Sequence, residues 1–132
     1  MATVPLLTDE KAPGESRAVF DEIRAARGTD YVNNFWRALA HDPALLRATW
    51  ERAATVMAPG ALDPLVKELV YIAVSTANGC AYCVHSHTAA ARAKGMTPEQ
   101  HAELLAVIAM ASQTNALATA LAVPVDERFK EN

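Results

Sequence analysis

Cys80 and Cys83 are the only cysteines of the chain, three positions apart in Gly79-Cys80-Ala81-Tyr82-Cys83, and His87 follows four residues later. At this spacing two sulfurs can reach one metal ion or each other, so the pair supports metal or redox chemistry. A thiol reacts as its thiolate, and at neutral pH a free thiol is mostly protonated, so a neighbouring base is significant. Two thiols and a base can reduce a peroxide. One thiolate attacks the O–O bond and becomes a sulfenic acid, its neighbour condenses with it to a disulfide, and an external dithiol restores the pair by exchange.

A helix must hold these groups on one side. Successive helical residues advance by roughly 100°, which puts Cys83 at roughly 300° and His87 at roughly 340° from Cys80, while His85 falls near roughly 140° on the opposite side. Asn78-Gly79 before the pair is short enough to fold the preceding helix back as an antiparallel hairpin. Folding about that turn brings Glu68 within roughly one helical turn of His87. Ser75 maps to the level of Cys83 and shares a face with Glu68, seven positions earlier. Among Leu65, Leu69, Ile72 and Ala73, an inward carboxylate needs a partner, and the imidazole of His87 is the one offered. The expected line is Glu68, His87, Cys83, Cys80. The dipole at a helix start favours a lowered pKa at Cys80, whereas a base gives Cys83 a proton route. We take Cys83 as the attacking sulfur and Cys80 as the resolving one.

The surrounding segments read as helices throughout. Pro13 to Ala26 places Val19, Phe20 and Ile23 on one side and closes at Gly28. Asn33-Asn34 opens a short helix from Phe35 to His41, and Asp42-Pro43 and Asp63-Pro64 start helices over Pro43–Met57 and Pro64–Ala77. Cys80 to Lys94 stops at Gly95, and Thr97-Pro98-Glu99-Gln100 is a capping box that opens the last stretch. Leu104 to Val123 carries no charge, but Ser112-Gln113-Thr114-Asn115 interrupts it, which predicts two buried helical pieces with a polar joint and no membrane span. The 132 residues suit one all-α domain. A net charge of −3 gives no reason to expect nucleic acid. Met1 to Asp9 lacks an apolar export signal, which points to the cytoplasm and away from a secreted disulfide framework. Ala-rich apolar helices suit packing against copies of the chain.

Glu68, Cys80, Cys83 and His87 at these separations, with Val66-Lys67-Glu68-Leu69-Val70 and Ser75-Thr76-Ala77-Asn78-Gly79-Cys80, resemble the signature of the AhpD-like alkylhydroperoxidases of the carboxymuconolactone decarboxylase superfamily. Upstream, Asn33 to Pro43 is similar to the opening segment of the peroxidase-related branch. The resemblance runs from about Asn33 to Leu105 and implies an all-helical, oligomeric fold (trimers or hexamers) with a CxxC-bearing antiparallel hairpin, 1–132 forming a single domain. It implies reduction of a hydroperoxide without haem, flavin, metal or other cofactor, at the expense of a dithiol reductant of lipoyl or thioredoxin type. By position, Cys83 is peroxidatic, Cys80 resolving, and Glu68 with His87 the proton relay. Tyr82 stands where some members carry a histidine.

Two other functions fit parts of the pattern. Lactone decarboxylation, as in the superfamily's namesake, uses carboxylate and histidine groups and has no need of a CxxC pair. A non-catalytic oligomer, zinc-holding or redox-switched, could use Cys80, Cys83 and a histidine. A single helix points His85 away, so a tetrahedral zinc site would need His41, His101 or another subunit.

Overall fold

The computed structural model describes residues 1–130, and these are helical with no strand among the described residues: α1 (Gly14–Arg27), α2 (Asn34–Leu39), α3 (Pro43–Met57), α4 (Pro64–Ala77), α5 (Ala81–Ala93), α6 (Pro98–Ala120) and a 3-10 turn, Glu127–Phe129. Two compact units divide the chain, Met1–Ala58 and Pro59–Asn132, each with its own core.

In the first unit, Val19, Phe20 and Ile23 of α1 are fully buried, as their spacing predicts. They meet Leu46 and an edge-on pair of indoles, Trp36 and Trp50, whose rings lie 5.6 Å apart. The Ser16 hydroxyl is buried with them and donates to the carbonyl of Ala40 at 2.8 Å. The α2 helix ends at Leu39, short of the expected His41, whose ring bonds the Pro5 carbonyl at 2.7 Å. Tyr31 and Phe35 are exposed.

The second unit holds the site. Asp63 caps α4 by accepting the Leu65 amide at 2.9 Å, with Pro64 at the first helical position, so the helix starts where the Asp-Pro signal puts it. Gly79 takes the left-handed conformation, φ 68°, that lets the chain reverse at once into α5. The helices are antiparallel: Glu68, one turn into α4, meets Lys94 just past the end of α5. Ile72, Ala91 and Met96 form the buried core beneath them, joined by Leu65, Leu69, Leu104 and Ile108.

Helix α6 departs from expectation in two ways. It begins with the expected reciprocal cap, the Thr97 hydroxyl accepting the Gln100 amide and the Gln100 side chain accepting the Thr97 amide. It then runs unbroken for 23 residues. The polar quartet does not divide it because Ser112 and Thr114 turn their hydroxyls back onto the carbonyls of Ile108 and Met110, satisfying themselves inside the helix. Nor is it buried: Leu105, Val107, Met110 and Leu117 are exposed. Among the described residues, no helix is long and apolar enough to cross a membrane.

Candidate active site

The second helix turn of α4 and the whole length of α5 supply the site. Glu68 is 4% exposed, a burial that a carboxylate tolerates only with partners for its charge. It has two, one for each oxygen. Oε2 bonds the Nδ1 of His87 at 2.6 Å, and Oε1 accepts from the Nζ of Lys94 at 2.9 Å. Burial pushes this carboxyl up, but the bonds from His87 and Lys94, with the lysine's charge, outweigh it and hold the group below its ordinary range. When Nδ1 carries the ring proton and donates it to the carboxylate, Nε2 keeps its lone pair and can accept a proton.

The imidazole is also fixed in plane. Tyr71, one turn after Glu68 on α4, lies flat against His87 with ring centres 3.5 Å apart and planes 18° apart. Burial raises its phenol pKa, with further rises from the electrostatic effect of Cys83, Cys80 and Glu68.

Cys80 and Cys83 are free thiols, each half-buried. Cys80 is the N-cap of α5 rather than its first turn, and its Sγ accepts the backbone amide of Cys83 at 3.4 Å. Hydrogen bonds from the Cys83 thiol and then from the backbone amides of Cys83 and Tyr82 lower the Cys80 pKa. Cys83 moves the other way: burial, and then the bond to Cys80 and its charge, push its thiol up to about 11. Of the two, Cys80 therefore gives up its proton more readily than Cys83.

The four residues of the expected line are held as two couples. Glu68 and His87 are in direct contact, and so are Cys80 and Cys83, but among the described residues His87 makes no hydrogen bond to either sulfur. Ser75 is buried near the turn, and its carbonyl accepts the Cys80 amide at 2.9 Å. His85 is exposed, as the wheel requires. Among the described residues, no three His, Cys, Asp or Glu side chains are grouped to hold a metal ion. Lys94 and Tyr71 were not anticipated, although the signal existed: Lys94 lies two turns beyond His87 and Tyr71 one turn beyond Glu68, each on the site's own face.

The carboxymuconolactone decarboxylase family matches residues 43–126, and the chain belongs to that family. Its likeness within the family is to AhpD proteins. The crystal structure of the alkylhydroperoxidase AhpD core from Rhodospirillum rubrum ATCC 11170 is 64% identical, covers 100% of this chain and 99% of its own, and superposes with a TM-score of 0.97. The alkyl hydroperoxide reductase AhpD of Maricaulis maris (strain MCS10) is 31% identical over 124 residues, 85% of this chain and 66% of that protein. The one from Solibacter usitatus (strain Ellin6076) is 42% identical over 71 residues, 54% of this chain and 38% of that protein. The chain spans less than two thirds of the length of either of these relatives.

Proposed function

We propose that this chain is a thiol-dependent hydroperoxide reductase in which Cys83 attacks, Cys80 resolves and Glu68 with His87 moves the proton. The observation that carries this reading is a buried carboxylate bonded to an imidazole on the same helix hairpin as two adjacent thiols. Cys83 gives its proton to Nε2 of His87, directly or through water, and its thiolate attacks the peroxide oxygen. The S–O bond forms as O–O breaks, and the leaving alkoxide takes the proton back to depart as the alcohol. Cys80 then attacks the Cys83 sulfenic acid: the S–S bond forms as the S–O bond breaks, and the Cys80 proton leaves with the hydroxyl as water. An external dithiol of lipoyl or thioredoxin type supplies the two electrons that reopen the disulfide. The high pKa of Cys83 suits this division of labour, because thiolate nucleophilicity rises with pKa once the proton is removed.

The lowered Cys80 thiol favours a second reading with the two sulfurs exchanged. Trapping with dimedone after one equivalent of peroxide, read by mass spectrometry, separates them. A sulfenic acid on Cys83 in Cys80→Ser, with none formed in Cys83→Ser, is expected. The adduct on Cys80 in Cys83→Ser reverses the assignment, and none in either variant sinks the peroxidase. Two free thiols suit a reducing cytoplasm. The exposed apolar side chains of α6 suit a homo-oligomer, trimer or hexamer, which sedimentation at micromolar concentration tests; a monomer mass there removes it.

A further inference from the structure

We propose that Lys94 is a positioning residue of this site: by occupying Oε1 of Glu68 it keeps the carboxylate a pure acceptor and so selects the His87 tautomer with Nε2 free to take a proton. The inference rests on the proposed proton role of His87. Its basis is the division of the carboxylate, with one oxygen for each partner, 2.6 Å to Nδ1 of His87 and 2.9 Å to Nζ of Lys94. A lysine one residue past a helix end already interacts favourably with the last carbonyls by position alone. Lys94 instead sends its ammonium across to α4, 26 residues back in sequence, to a side chain that is 5% exposed.

Without that ammonium the buried carboxyl would face only an imidazole, and burial, the strongest single influence on it, would favour the protonated acid. A protonated Glu68 donates instead of accepting. Nδ1 must then be the acceptor, the ring proton moves to Nε2, and the imidazole can no longer take a proton from a thiol. The groups acting on Glu68 are few. Lys94 and His87 face it from α5, Tyr71 lies beside it on α4, and α6 meets the cluster with Leu104 and Ile108, which carry no charge.

The test is a 13C titration of the Glu68 carboxyl, alongside the pH profile of dithiol-dependent peroxide turnover, in wild type, Lys94→Met, Lys94→Gln and Lys94→Arg. In the two neutral variants the Glu68 midpoint should rise by about one pH unit or more, as for a carboxylate losing an adjacent cation. The acid limb of kcat/KM should move up with it, and Lys94→Arg should restore both. Lys94 is exposed, and two neutral side chains of different shape guard against a folding defect. An unmoved Glu68 midpoint overturns the inference, as does a moved midpoint with an unmoved acid limb. A wild type that turns over no peroxide refutes the proposed function instead, and the titration still reports on Lys94.

Discussion

Replacing Glu68 with glutamine keeps its shape and removes its charge, which makes it the sharpest probe of the relay. In the relay, His87 becomes cationic as it takes the thiol proton, and the adjacent carboxylate stabilises that cation. Two unit charges about 4 Å apart interact by ~4 kcal/mol at an effective dielectric near 20. His87 is 22% exposed and the charge of Lys94 opposes the effect, so about half survives. A loss of ~2 kcal/mol of transition-state stabilisation is roughly a 30-fold fall in the rate of sulfenic acid formation. Stopped-flow mixing with peroxide, from about pH 6 to 9 across the range where thiols and imidazoles titrate, measures it. A Glu68→Gln rate within about twofold of wild type, with the same pH profile, would refute the reasoning, since a twofold change is only ~0.4 kcal/mol. Stability gives a second readout. Two charge-assisted bonds are worth ~1.5–3 kcal/mol each, but Lys94 regains solvation and the amide escapes the cost of burying a charge, leaving a net loss of ~1–2 kcal/mol. Because the folded pKa of Glu68 is lowered, its contribution is present above the unfolded carboxyl value of about 4.3 and is lost as pH falls through the folded value. Urea unfolding of the two proteins should therefore differ at neutral pH and converge in acid.

Cys83→Ala removes the thiol and its bond to Cys80, the main cause of the lowered Cys80 pKa, so alkylation of Cys80 by iodoacetamide at pH 7 should slow and its midpoint move up toward an ordinary thiol. Equal rates and equal midpoints in both proteins would show that the helix terminus alone sets the charge. Gly79→Ala meets no atom within 4 Å and so pays only for its left-handed backbone, about 1–2 kcal/mol by chemical denaturation. No measurable loss would mean that the turn relaxes to another conformation.

Local signals made the hairpin legible. Each Asp-Pro pair carries both a cap and a preset φ, so the bounds of α3 and α4 follow from a few adjacent residues. The Glu68–His87 contact was accessible because a short turn fixes the register of two helices. What escaped depends on side-chain reach and burial. Helical periodicity puts Lys94 and Tyr71 on the site's face, but it does not say that the long arm of Lys94 will cross to α4 or that the ring of Tyr71 will lie on His87 rather than in solvent. The balance between the two sulfurs was hidden for a similar reason: the helix-start argument gave the direction for Cys80, but the rise at Cys83 comes from burial and from its partner's charge. In α6 the uncharged composition suggested burial, yet its polar quartet is satisfied inside an exposed helix.

The atom that caps α5 is also one of the atoms that reacts. Sγ of Cys80 accepts the Cys83 amide, and a sulfur that has entered a disulfide is a poorer acceptor than a thiol with a lowered pKa. Helix order and electron count are therefore linked: the first turn of α5 is better capped when the pair is reduced, and whatever the cap contributes favours the reduced form. If that is ~1 kcal/mol, as for an ordinary cap, the couple becomes more oxidising by about 20 mV. Amide hydrogen exchange at the start of α5 would thus serve as a gauge of the chain's redox state, faster when oxidised and slower once a dithiol has reduced the pair.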